Sequence, residues 1–548
     1  MNGMDRGASR RHLLGLAAAS ATTLWLPRSA WSQPRFGSNP FTLGVASGSP
    51  THDSVVLWTR LHLQGLFGSS LGREPVTVRW EVAHDEQFTR IAHSGQSMAS
   101  PELAHSVHVE VAGLEPDRWY FYRFMAGDAI SPVGRTRTFP APNAVAARLR
   151  LAYASCQRWE HGYYSAYRHM RDENLDAVLF LGDYIYEYPG AANAVRLPNM
   201  TPSLGFVITL DDYRSRYALH KADADLQAMH AVCPWLMTWD DHEVQNDYAG
   251  LQPGNSSAAD VFSNPPDFAR RRAAAYQAYY EHMPIRAATL SHAIAGLVNP
   301  TSGADLRIYN RVDFGNLATL YLLDTRQYKD PLVCTKGGNP GSSQVNPASC
   351  PAWHDPKRTL LGGQQEAWLS AEFNQSARST PRWNVVGQST LFGQRDNKPG
   401  PGQVFFNDGW DGYSAARTRL TDALQKHAVP NAVFLGGDVH ENWVGHIKAD
   451  YAQTASAQAG ASIGVEFCGT SITSRSGGNA KTPERLTENP HFVFADAERK
   501  GYGVVEFTPR QLTTTLRVVD DVTRKDARIG TLASFAVQAG RAVVERTV

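Results

Sequence analysis

From residue 41 to about residue 139, apolar positions recur in short runs and no segment carries a convincing helical period. Val76-Thr77-Val78-Arg79-Trp80-Glu81-Val82 alternates apolar and polar side chains, the pattern of a strand with one buried face. A second, aromatic run, Trp119-Tyr120-Phe121-Tyr122-Arg123-Phe124, follows the turn-prone Gly113-Leu114-Glu115-Pro116-Asp117. An all-β domain over residues 38–140 is expected, followed by a linker of small residues and prolines at 140–147. Beyond it the texture changes to continuous apolar runs at 150–155, 176–181, 317–323, 383–386 and 432–435. Helix-compatible segments at 273–282 and 364–373 lie between them, so an α/β layered domain is expected over 148–525, with a tail at 526–548. Polar groups at the strand ends are where such sheets carry their sites.

Composition narrows the function classes. The chain has 548 residues, 42% hydrophobic and 19% charged, enough for a large core. Its 53 basic and 52 acidic residues leave a net charge of +1, which gives no field for specific nucleic-acid recognition or an anionic membrane surface. No run in the body of the chain suits a stable membrane span. Near the N-terminus, Ser9-Arg10-Arg11-His12-Leu13-Leu14 opens an apolar stretch of 14 residues, 13–26, and Ser29-Ala30-Trp31-Ser32 offers small residues for cleavage. This reads as a twin-arginine signal over 1–32, with a short amphipathic helix or anchor as the alternative. Export by the twin-arginine translocation machinery to the periplasm or the extracellular space is expected, with a monomer beginning near Gln33. Of five cysteines, Cys334 and Cys350 flank a loop rich in Gly, Pro, Ser and Asn. A disulfide there suits an oxidising compartment, and two free thiols are the other possibility. Cys233 and Cys468 sit in apolar surroundings.

Four strand-end clusters carry candidate chemistry. Leu181-Gly182-Asp183-Tyr184-Ile185-Tyr186-Glu187 places a phenol three residues after a carboxylate, and phenolate is a hard donor suited to a ferric ion. The bland alternative is an Asp capping a turn beside core tyrosines. Thr238-Trp239-Asp240-Asp241-His242-Glu243 sets adjacent carboxylates together, which repel unless a cation holds them. In Phe434-Leu435-Gly436-Gly437-Asp438-Val439-His440-Glu441, Asp438 and His440 stand two apart and share one side of an extended segment. Finally, Ala154-Ser155-Cys156-Gln157-Arg158 offers a thiol for a transition metal and an arginine for an anion, although a core thiol is the commoner fate of a lone cysteine.

Taken in order, these clusters resemble the metallophosphoesterases, and the Asp-x-x-Tyr spacing resembles that of purple acid phosphatases. Cys156, Asp241-His242-Glu243 and Asp438-x-His440 are similar to the PhoD-type alkaline phosphatase/phosphodiesterase family. The likeness extends to Phe41-Thr42-Leu43-Gly44, Val56-Leu57-Trp58-Thr59-Arg60, Leu323-Asp324-Thr325-Arg326-Gln327-Tyr328, Trp410-Asp411-Gly412-Tyr413 and 466–474. The resemblance implies a four-layer α/β (α+β) metallophosphoesterase sandwich, and the aromatic strand behind its Leu-x-Pro turn resembles a fibronectin type III β-sandwich. It implies one Fe3+ near Cys156, Asp183, Tyr186 and His440, and one or two Ca2+ near Asp183, Asp241 and Asp438. It further implies hydrolysis of phosphate mono- and diesters by hydroxide bound to these metals, with His242 as candidate for protonating the leaving group or steering substrate, a structural histidine on a carboxylate being the alternative, and Arg158 for gripping a phosphate oxygen. Asp324 and Arg326 are expected to pair with each other behind the ligands. The competing expectations are a phospholipase D-like diesterase on the same metals and an exported binding protein that has lost catalysis.

Overall fold

The protein is described by a computed structural model covering residues 35–63, 71–190, 193–197, 205–254, 265–290, 306–338, 340–378, 382–451 and 462–548. The expected export signal over 1–32 lies outside these residues. The chain divides into two compact units, and they interleave in sequence. The first takes residues up to Phe139 together with Pro198–Leu236 and Ala269–Ile308, and the second takes Pro140–Leu197, Met237–Phe268 and Tyr309–Val548. Two later stretches thus return to the first unit, where simple consecutive domains were expected.

In the first unit the period-two run forms the strand Val76–Ala83, with Val76, Val78 and Val82 buried and Arg79 exposed. It lies between Ile91–Ala99 and the aromatic strand Trp119–Ala126, antiparallel to both. Ser54–Arg60 pairs with Val45–Gly48 on one side and Ser106–Ala112 on the other. Val55, Leu57, Val78, Val82, Val107, Tyr120, Tyr122 and Phe124 form one apolar core. The Leu114-Glu115-Pro116 turn is fastened by its own aromatic strand, because the Glu115 N–H donates to Tyr120 Oη at 2.9 Å. The helix Leu210–Lys221 starts with a capping box between Thr209 and Asp212 and carries Lys221 to a site 4.1 Å from the Trp58 ring.

Strands of two large sheets and a two-stranded ladder lie in the second unit. In one, Leu149–Ala154 runs parallel to Ala177–Leu181 and antiparallel to Lys500–Phe507. Gln511–Val519, Ile529–Gln538 and Glu545–Arg546 continue it outward. Residues 526–548, expected as a tail, therefore supply sheet strands. The other sheet has seven strands, with Ala318–Leu322, Trp383–Gly387, Ala432–Gly436 and Ser462–Cys468 parallel at its centre. Its three leading central strands are buried at every residue, which is why they read as continuous apolar runs without alternation. The sheets face one another, with Trp383 and Phe507 ring centroids 5.8 Å apart. The helices Gly362–Arg378 and Ser414–Lys426 cover the seven-stranded sheet through Phe373, Leu420 and Leu424 against Tyr321, Val386 and Phe434. Mixed α/β architecture with several sheets and a β-rich N-terminal unit is what these elements make. Cys334 and Cys350 form a disulfide with Cα atoms 6.1 Å apart. Among the described residues no helix is long and apolar enough to cross a membrane.

Candidate metal centre

The strands Leu149–Ala154, Ala177–Leu181 and Ala432–Gly436 each stop just before a candidate residue, and the loops that follow turn sharply. Cys156, Asp183, Asp247, Asp438 and His440 all adopt positive φ between 58° and 65°, a region that non-glycine residues occupy at a cost of roughly 1 kcal/mol or more. Such strain persists where surrounding contacts over-determine it, and here they do. The Cys156 N–H donates to Gly182 O and the Gln157 N–H to Asp183 O, both at 3.1 Å, so two strand-end turns are sewn together. Glu243 accepts from the N–H groups of Asp183 (3.1 Å), Tyr184 (2.5 Å) and Asp240 (2.8 Å). The last carboxylate of the acidic run thus fixes backbone rather than facing a cation.

These turns bring together what the sequence separates. One ligand atom each from Cys156, Asp183 and His440 lies within 4.8 Å of the others, and the same holds for Asp183, Asp241 and His242, and for Asp241, Asp247 and Asp408. Tyr186 joins the first group, its Oη 2.8 Å from Asp183 Oδ2 and 3.1 Å from His440 Nε2. Asp438 belongs to none of the three groups among the described residues, and its Oδ2 accepts from Thr390 Oγ1 at 2.7 Å. His242 Nδ1 sits 2.7 Å from Glu187 Oε2. The Arg158 guanidinium lies over the rings of Tyr186 and Tyr188, 5.7 and 5.3 Å from their centroids. The expected Asp324–Arg326 side-chain pair does not form. Asp324 accepts from Trp239 Nε1 and the backbone of Arg326 and Gln327, whereas the buried Arg326 guanidinium reaches Asp240, Asp408 and Asp241. Lys329 adds a second cation on Asp408 at 2.5 Å.

Electrostatics follow from this crowding. Burial, then the neighbouring carboxylates Asp241, Asp240 and Glu243, hold the Asp183 carboxyl well above its usual range despite His242. Burial likewise lifts Asp240 and Glu243 to about 8, and Asp247 and Asp438 to about 6. For Asp241 burial pushes upward, but Arg326 and His242 outweigh it and leave the group below its ordinary value. Burial works against charge on His242, yet the Glu187, Asp183 and Asp241 carboxylates hold it well above 6.5. Burial and Lys500 lower His440 to about 3, so its imidazole is neutral. Its Nδ1 is 2.7 Å from Arg475 O, which takes the ring N–H and leaves Nε2 with a lone pair towards Tyr186 and Asp183. Burial first, then Asp183, raises both the Cys156 thiol and the Tyr186 phenol.

Two buried oxygens at the focus, Asp183 Oδ1 and Asp241 Oδ1, have no hydrogen-bond partner among the described residues. A buried carboxylate oxygen without a donor is costly, and a cation is the partner that satisfies it. Thiol, phenol, imidazole and carboxylate at one point suit a transition metal, and the all-carboxylate group suits a hard divalent ion. Sequence reasoning missed Asp247, Asp408 and Glu187. None carries a local signal beyond its place near a strand end, because Asp408 reaches the site only through the chain's return.

A family model described as PhoD-like phosphatase matches residues 151–516, and one described as the N-terminal domain of PhoD-like phosphatase matches residues 27–140. Alkaline phosphatase D of Bacillus subtilis is 44% identical over 531 residues, covering 96% of this chain and 85% of the relative. A solved structure of PhoD, at 44% identity, covers 94% of this chain and 93% of its own with a TM-score of 0.84. With identity at that level along nearly its whole length, this chain belongs to the PhoD-like phosphatase family.

Proposed function

We propose that the chain is an exported alkaline phosphatase that hydrolyses phosphate monoesters and accepts diesters at the cluster of Cys156, Asp183, Tyr186, Asp241 and His440. The observation that carries this reading is the convergence of Cys156, Asp183 and His440 within 4.8 Å, with the Tyr186 phenol on Asp183. Cys156, Asp183, Tyr186 and His440 would hold one Fe3+, and Asp183, Asp241, Asp247 and Asp408 would hold one or two Ca2+, with Asp438 beside them. Cations held by these residues would supply charge to neutralise phosphoryl oxygens and to lower the pKa of the attacking water.

The chain's own groups do the rest. Arg158 presents a guanidinium over Tyr186 and grips a phosphate oxygen. Glu187 takes the Nδ1–H of His242, fixing the ring and stabilising its charged form, so that Nε2 holds the proton for the leaving alkoxide. The two facing sheets with helices outside support a four-layer sandwich for the catalytic unit. The Tyr120 bond to its own Leu-x-Pro turn supports a fibronectin type III-like N-terminal domain. Ser9-Arg10-Arg11 and the apolar stretch after it support twin-arginine export.

The test is turnover of a chromogenic phosphomonoester and the matching bis-ester at alkaline pH, with and without a calcium chelator, alongside the visible spectrum. Loss of both activities on chelation and a tyrosinate-to-iron absorption band that disappears in Tyr186→Phe are expected. Asp183→Ala should remove both activities together. A colourless protein indifferent to chelator overturns the metal assignment.

A further inference from the structure

The Cys334–Cys350 loop reaches the candidate centre through two backbone contacts. The Ser342 N–H donates to Asp247 Oδ2 at 2.8 Å. Next to it, the Ser343 N–H donates to Asn407 Oδ1 at 2.7 Å, and the Asn407 N–H returns to Ser343 O at 3.1 Å. Asn407 Nδ2 donates to Val333 O at 2.9 Å, so the same amide also grips the chain beside Cys334. Gln344–Val345 and Phe405–Phe406 pair as a small antiparallel ladder that leads into Asn407 and then Asp408. Val345, Cys350, Trp353 and Phe405 close over it as a separate apolar cluster. One crosslinked loop therefore sets Asp247 directly and Asp408 through its neighbour.

Asp241, Asp247 and Asp408 repel one another at this spacing, and Asp241 Oδ1 is buried with no partner among the described residues. Arg326 and Lys329 restrain Asp408 from one side. Among the described residues, the donor to Asp247 Oδ2 comes from the loop rather than from the centre's own strand ends. A carboxylate that must present one oxygen to a cation is oriented by a donor on the other.

We propose that Ser342 and Asn407, clamped by the Cys334–Cys350 disulfide, are positioning residues for the Asp241–Asp247–Asp408 group, so that the crosslinked loop sets the calcium affinity of this site. The proposal rests on the reading of that group as a cation site. It gives the disulfide a local role at the centre rather than a role in holding the whole chain folded.

The test uses the full-length oxidised protein, stripped of divalent ions and titrated with Ca2+ by calorimetry, alongside Cys334→Ser/Cys350→Ser and Asn407→Ala. Both variants should keep the circular dichroism of the parent while binding Ca2+ about 10-fold to 100-fold more weakly, the range for loss of outer partners of a metal ligand. Iron content should not change, and excess Ca2+ should restore ester hydrolysis. Equal Ca2+ affinity in parent and variants overturns the proposal. So does loss of the fold in both variants, because a local clamp does not carry global stability. A parent that takes up no Ca2+ removes instead the cation-site reading beneath the proposal, and the two failures are thereby distinct.

Discussion

Glu243 closes the Asp-Asp-His-Glu run, yet its two oxygens face three backbone N–H groups and no cation. An amide cannot replace it, since a glutamine NH2 would meet an N–H donor. Glu243→Gln is expected to cost about 1–3 kcal/mol, read as a fall in the urea midpoint, and to reduce activity by loosening the Asp183 turn. A midpoint equal to that of the parent would contradict this role. At the level of single residues the sequence was informative where identity alone announces chemistry. Cys156, Asp183, Tyr186, Asp241, His242 and His440 were all visible as strand-end groups, and the structure brings them together. Asp247, Asp408 and Glu187 look like any loop acid, and only their spatial neighbours distinguish them. Arg326 was visible, but its partner was misjudged because sequence proximity favoured Asp324 over the distant Asp240 and Asp408.

The turns after the strands depend on tight approach. Gly182 has a φ of +104°, and a Cβ there would stand 2.5 Å from Asp240 Cβ and 2.6 Å from Asp240 N. Gly182→Ala should force apart the two turns that carry Asp183 and Asp241, with loss of activity and of several kcal/mol of stability. Gly363, near the start of the helix Gly362–Arg378, has open space around its Cβ position. Gly363→Ala should therefore leave activity intact and change the urea midpoint little, or raise it. Matching losses in both variants would show that glycine removal, not crowding at the centre, is responsible. Strands and helices were readable here from periodicity, as with Val76–Ala83 and the segment inside Gly362–Arg378. The end of the chain was not, because Ile529–Gln538 alternates only loosely and takes its strand form from pairing with Gln511–Val519.

For the molecule as a whole, pH acts through groups that the fold buries. Burial lowers Lys221 in the first unit from 10.5 to about 7, beside the Trp58 ring. Between those values the unfolded chain holds this proton and the folded chain does not. Unfolding then takes up a proton, so this group makes stability rise with pH from about 7 to 10.5, by at most about 1.4 kcal/mol per pH unit. Below pH 7 its contribution is flat and unfavourable. Urea midpoints of Lys221→Met across pH 7–10 should show a shallower rise than the parent. Identical profiles would assign the slope to other groups.

The pairing of Leu149–Ala154 with Lys500–Phe507 joins segments some 350 residues apart. During synthesis, the strand that presents Cys156 must wait without one edge partner until the ribosome has made nearly all of the chain. A nascent chain stopped before residue 500 would already carry every candidate metal-binding side chain and still lack the strand that closes the sheet beside Leu149–Ala154.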